Sequence, residues 1–187
     1  MKILLFAIPA ALLIFLGCSQ PPARGKLPSQ EATAGLPGYR DSLQKGLFGV
    51  SHIIFGKFCG HCLQNCTIMY ALHMNGNASS LTADTSNGYL RGEMKFTQKI
   101  NDSKMMQLAS EVYRNLPKEL VISAPQEAIF GCPDCADQCG IYVEIGQGAT
   151  SRKFRIDTNT DGLEGEVKAF AEFIKPVIEQ MDAKLRD

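Results

Sequence analysis

The chain predicts an α+β domain, an antiparallel sheet with two helices, held together by disulfides. Three observations carry that expectation. The pattern C-x2-C-x3-C occurs twice, as Cys59, Cys62 and Cys66 and again as Cys132, Cys135 and Cys139, each member displaced by 73 positions from its counterpart. Each motif is followed by two short stretches of β-branched and aromatic residues broken at glycine, the composition of strands joined by turns. Apolar residues at helical spacing then follow in each half, which suits helices with one buried face.

From the N-terminus, Lys2 supplies a positive start and Ile3 to Leu16 an apolar run interrupted only by Pro9. A run of about 14 residues is too short to span a bilayer and suits the core of a cleaved signal. It ends in Phe15-Leu16-Gly17-Cys18, which resembles the signal of bacterial lipoproteins, where a small residue precedes a cysteine that is lipidated and becomes the new N-terminus. The resemblance implies a signal peptide over 1–17, a lipid of the palmitate type on Cys18, a membrane anchor and a place in the bacterial cell envelope. Phe15 and Leu16 depart from its usual aliphatic and small residues. Residues 18–46 hold Pro21, Pro22, Pro28 and Gly35-Leu36-Pro37-Gly38 and read as a flexible tether. Residues 47–187, about 140 in number, suffice for one domain with a modest core, divisible into halves at 47–117 and 118–187.

Within the domain, Leu47 to Phe55 and Glu93 to Phe96 read as strands. Thr67 to Met74 matches Ile141 to Ile145, and Leu81 to Thr85 matches Lys153 to Thr158, with Asp84 and Asp157 again 73 apart. Met105, Leu108, Ala109, Val112 and Leu116 predict the first helix, capped within Asn101 to Ser103 and stopped by Pro117. Val167, Phe170, Ile174, Val177, Ile178, Met181 and Leu185 predict the second, with Pro176 expected to kink or divide it. The halves thus read as a duplicated β-β-α unit, whose two-fold relation would bring both cysteine loops to one edge of the sheet.

If Cys18 takes lipid, six cysteines remain, an even number in an oxidising compartment, and a disulfide framework is the favoured reading. Fifteen pairings are open to six cysteines, and bonds between the copies would constrain the unfolded chain most. A second reading is metal: three thiolates with His61 would make a Cys3His zinc site, and copper also suits thiolates, but the second motif offers only Asp134 and Asp137. A third is exchange chemistry. Phe58-Cys59-Gly60-His61-Cys62 resembles the active site of thioredoxin-like proteins, disulfide isomerases above all. That resemblance, about ten residues long, implies a thiol–disulfide oxidoreductase in which Cys59 attacks from a helix N-terminus and Cys62 resolves. The chain departs from the family at Phe58, where the family has tryptophan, and in lacking the family's proline after the second cysteine.

Asp157, Asn159 and Asp161, followed by Gly162, match the start of a calcium loop, but position twelve is Lys168. The same residues serve equally as a turn, with Asp161 and Glu164 as a capping box for the last helix. His52 and His73 fall in strands and read as packed or exposed side chains rather than ligands. Met69, Met74, Met94, Met105 and Met106 read as filling. The formal net charge is zero and Lys and Arg are scattered, which gives no nucleic-acid footprint. The chain therefore reads as a membrane-anchored binding or interaction module with no predicted cofactor. A protein or small-molecule partner is not identified, and an enzyme or a metal-binding lipoprotein is the alternative.

Overall fold

A computed structural model describes residues 49–60, 67–75, 78–133, 135 and 139–186. The expected signal, 1–17, the expected lipidation site Cys18 and the expected tether, 18–46, lie outside the described residues. Seven strands, β1 (Val50–Cys59), β2 (Ile68–Asn75), β3 (Ala78–Asp84), β4 (Gln98–Ile100), β5 (Glu127–Phe130), β6 (Cys139–Gln147) and β7 (Thr150–Asp157), form one sheet of order β4-β3-β2-β1-β6-β7-β5. Two α-helices, α1 (Ser103–Arg114) and α2 (Gly165–Arg186), complete the α+β fold that the sequence predicts.

Strand alternation sets the layers. Ile53 and Phe55 of β1, Tyr70 and Leu72 of β2, Leu81 and Ala83 of β3, Val143 and Ile145 of β6, and Phe154 and Ile156 of β7 are buried in one cluster. Met105, Ala109 and Val112 of α1 and Val167, Phe170, Ile174 and Met181 of α2 belong to the same cluster, so both helices cover one face. Each large apolar side chain buried there contributes roughly 1.5–3 kcal/mol. Helix α1 begins where expected, because the Asp102 carboxylate accepts from the Met105 N–H at 2.9 Å. Lys184 of α2 reaches that carboxylate at 3.1 Å, tying the two helix ends together.

The opposite face holds Ile54, Phe58, Met69, Ala71 and Tyr142, covered by Tyr89, Met94 and Phe96. These covering residues belong to a strap, residues 85–97, which corrects the expectation of a strand over Glu93 to Phe96. Met94 and Phe96 alternate as a strand's residues do, but they cap the sheet instead of extending it. The short strand follows at β4. The sheet is also mixed rather than wholly antiparallel: β5, a strand the sequence does not predict, lies parallel to β7 at the edge.

The 73-residue offset survives in the core. Ile68, Tyr70, Leu72, Leu81 and Ala83 on the helix face of one hairpin answer to Ile141, Val143, Ile145, Phe154 and Ile156 in the other. No rotation relates the halves, however. β2 and β6 both run antiparallel to β1, on its two sides, and each hairpin extends outward from there. With both helices on one face, the hairpins are of opposite hand, so the expected two-fold is absent.

Two further expectations change at α2. The helix runs unbroken through Pro176. Pro176 and the residue four before it, Glu172, lie on the exposed side, where water can satisfy the carbonyl that proline leaves without a donor. Asp161 sits in a separate 3-10 turn, Thr160–Gly162. The first helical bond runs from the Lys168 N–H to the Glu164 carbonyl, so Asp161 and Glu164 are not a capping box.

One buried polar pair crosses from sheet to helix. The Tyr70 hydroxyl donates to Asp182 Oδ1 at 2.8 Å. Burial, then the Asp182 charge, pushes the Tyr70 hydroxyl far above its usual range. Burial also raises Asp182, against the lowering effects of the Tyr70 bond and of Arg186 and Lys57. A carboxyl raised on folding favours the folded state below its unfolded pKa of about 3.9, and that contribution is lost as pH rises through the folded value. Asp182→Asn keeps an acceptor for Tyr70 and removes the charge. It is expected to move the urea midpoint upward at neutral pH and to flatten the pH dependence above about pH 4. Tyr70→Phe is expected to cost about 1.5 kcal/mol at neutral pH. A downward shift for the asparagine variant would show that the charge itself is stabilising.

Candidate functional site

The strand directions collect the chemistry at one end of the sheet. β1 ends at Cys59 and β6 begins at Cys139, β2 begins at Ile68, and β3 and β7 end at Asp84 and Asp157. Cys59 and Cys139 are directly opposed in the β1–β6 ladder and are joined by a disulfide, with Cα atoms 4.1 Å apart. Antiparallel neighbours at a non-hydrogen-bonded position approach to about 4.5 Å, so strand register alone brings these two within bonding reach. The bond links the first cysteine of one motif to the last of the other. A second disulfide joins Cys132 to Cys135, both exposed. Cys62, Cys66, His61, Asp134 and Asp137 lie outside the described residues.

Two buried aspartates anchor the loops. Asp157 accepts from the Cys132 N–H at 2.9 Å and the Asn159 N–H at 2.8 Å. Its counterpart Asp84 accepts from the Ser86 N–H at 2.8 Å, the Ser86 hydroxyl at 2.6 Å and the Lys95 N–H at 3.0 Å. Burial would raise the Asp84 carboxyl, but these bonds outweigh it and, with Arg91, hold it below its usual range. Asn87 extends the anchor by accepting from the N–H and hydroxyl of Thr67 at 3.2 and 3.1 Å. The paired offset of the two aspartates was the one signal in the sequence for this role; the strap itself gave none.

Under the loops lies an aromatic stack. Tyr89 sits 4.9 Å from both Phe58 and Tyr142, centroid to centroid. Gly140 leaves room for it, since a Cβ there would press into the Phe58 ring and Pro133. The Tyr142 hydroxyl donates to Glu144 at 2.7 Å. Burial first, then that bond and charge, holds Tyr142 far above its usual range, so it stays a neutral donor.

The other predicted residues fall as follows. Cys59 is the last residue of β1, and its sulfur is bonded to Cys139. Asp157 and Asn159 spend side-chain oxygens on backbone N–H groups, with Asn159 accepting from Asp161 at 3.1 Å, which is turn chemistry. Among the described residues no group of three or more His, Cys, Asp or Glu side chains is placed to hold a metal ion. No described helix is long and apolar enough to cross a membrane. Met69 and Met105 are core residues. His52 and His73 lie opposite one another at the far end of β1 and β2, and burial, then the His52 charge, lowers the pKa of His73.

Comparison with protein-family models, curated proteins and solved structures yields no match. Fold and site thus define the class by themselves: an α+β domain on a seven-stranded mixed sheet, stapled across its two central strands.

Proposed function

We propose that this chain is a lipoprotein of the bacterial cell envelope, anchored through Cys18, whose domain is a disulfide-stapled binding module. The observation that carries the reading is the Cys59–Cys139 bond. It uses the first cysteine of the Cys-Gly-His-Cys stretch as a crosslink, which favours a framework over exchange at Cys59 and Cys62. It also fixes the central strands beneath loops that leave the sheet at one end, the usual arrangement for recognition by loops on a rigid scaffold. On this reading residues 18–46 serve as a tether that lifts the domain from the membrane surface. The partner is a protein or small molecule that engages the loop end.

The test is the intact mass of protein taken from its native compartment, with and without alkylation, together with metal analysis. The framework reading expects lipid on Cys18, six hydrogens fewer than the reduced domain, no stoichiometric metal and no alkylation before reduction. An unmodified Cys18 removes the anchor. A pair that opens under mild reductant and turns over a thiol substrate replaces the binding module with an oxidoreductase, and stoichiometric zinc or copper on the cysteines replaces it with a metal protein.

A further inference from the structure

At the end of the sheet away from the cysteines, the β1–β6 ladder slips by one residue. His52 lies opposite Gly146 and Val50 opposite Gln147, so Ser51 is the extra residue of a β-bulge. A bulge re-aims side chains. Strict alternation would send Ser51 to the helix face, yet its hydroxyl sits 3.2 Å from His52 Nδ1 and donates to the Gly146 carbonyl at 3.3 Å. A serine hydroxyl has one proton to give. With that proton on Gly146, the Ser51–His52 contact requires Nδ1 to donate, and the neutral ring then carries its lone pair on Nε2. Gly146 makes the position possible, because any Cβ there would collide with the imidazole. On the other side His52 faces His73 directly, with ring centroids 5.5 Å apart and planes tilted by 31°. Both rings are half-buried.

We propose that His52 and His73 form a cross-strand chelate for a divalent transition-metal ion, copper(II) in preference to zinc(II). Two imidazoles bound at about 2.0–2.1 Å to one tetrahedral ion have centroids about 5 Å apart, close to the 5.5 Å that separates this pair; reorienting the rings would aim one nitrogen of each at a shared ion. Imidazole suits both ions, and the order of divalent affinities puts copper(II) first. Ser51 is a positioning residue: it fixes the tautomer and orients the ring, as partners of metal-binding histidines do. The protein supplies two ligands, and water takes the remaining positions. This site is separate from the cysteine end and stands whether or not the binding-module reading does.

The experiment titrates the full chain, disulfides intact and any free thiol alkylated, with copper(II) or zinc(II) alone, by calorimetry, and records the copper spin-resonance spectrum. The expected result is one site, tighter for copper, with nitrogen coupling from two imidazoles in the unaltered protein. His52→Ala and His73→Ala should each lower affinity by about 100-fold and leave coupling from one imidazole, and Ser51→Ala should lower it by about tenfold. His61→Ala should change nothing. Absence of binding at micromolar copper, coupling from other than two imidazoles, or loss of the site in His61→Ala would each overturn the proposal. The spectrum of the unaltered protein decides even where a variant folds poorly.

Discussion

Replacing Cys59 and Cys139 together with serine is expected to lower the unfolding free energy by about 4 kcal/mol and the melting temperature by about 15 °C. The bond spans 80 residues of chain, and closing a loop of that size removes unfolded-state entropy worth roughly 4.5 kcal/mol in the chain-entropy account. The Cys132–Cys135 bond spans only three, for which the same account gives about 2 kcal/mol. Urea unfolding of the two double variants compares them directly. Both members of a pair must go at once, because a lone thiol in an oxidising compartment is free to mispair with Cys62 or Cys66. Equal losses for the two pairs would show that native packing, not loop closure, sets the effect. A large loss confined to Cys132 and Cys135 would move the structural weight to the second loop.

Much of this fold was legible because its signals are local. Ile141-Tyr142-Val143-Glu144-Ile145 has the residues of a strand, and Met105, Ala109 and Val112 have the spacing of a helix, whatever surrounds them. What escaped depends on pairing. Met94 and Phe96 alternate as in a strand, and only the position of the strap over Phe58 and Met69 makes them a cover. Glu127–Phe130 is four residues long and becomes a strand because β7 offers it an edge. The side of β1 on which each hairpin lies has no expression in either hairpin's own residues, so the matching 73-residue offset pointed to a symmetry that the topology does not have.

The site divides the same way. That cysteines pair was expected from their number and the expected compartment, and two pairs are seen, but the choice of Cys139 for Cys59 is made by the register of β1 on β6, which no spacing records. The bulge at Ser51 is likewise a property of two strands together. Read alone, Ser51-His52 is unremarkable polar text at the start of a strand. Read in the ladder, it brings the Ser51 hydroxyl to 3.2 Å from His52 Nδ1, while the register of β1 on β2 sets His52 opposite His73.

Asp84→Ala is expected to cost about 3 kcal/mol and to release the strap, residues 85–97, from the sheet. The carboxylate is buried and is the acceptor for the Ser86 N–H and hydroxyl and for the Lys95 N–H. Its removal strands two backbone donors unless the strap lifts into water, and a lost bond to a charged group costs about 1.5–3 kcal/mol. Lifting the strap bares Ile54, Phe58, Met69, Ala71 and Tyr142, so the variant should bind an apolar dye while its far-ultraviolet dichroism stays close to that of the parent. The chain has no tryptophan and five tyrosines, so the change in tyrosine emission between the parent and a Tyr89→Phe control reports on Tyr89 as it leaves Phe58 and Tyr142. The pH dependence follows from the lowered carboxyl. A carboxyl lowered on folding contributes its stability above the unfolded pKa of about 3.9 and loses it as pH falls through the folded value. The strap of the parent should therefore loosen only in acid well below about pH 4, and Asp84→Asn, which keeps one acceptor oxygen, should be weaker at neutral pH yet lose little more on acidification. Asp182 works in the opposite sense, since its raised carboxyl favours the folded state as pH falls. Acid should consequently open the strap face before the helix face, with dye binding preceding loss of helix. Simultaneous loss of both signals in the parent would mean that Asp84 does not govern the strap.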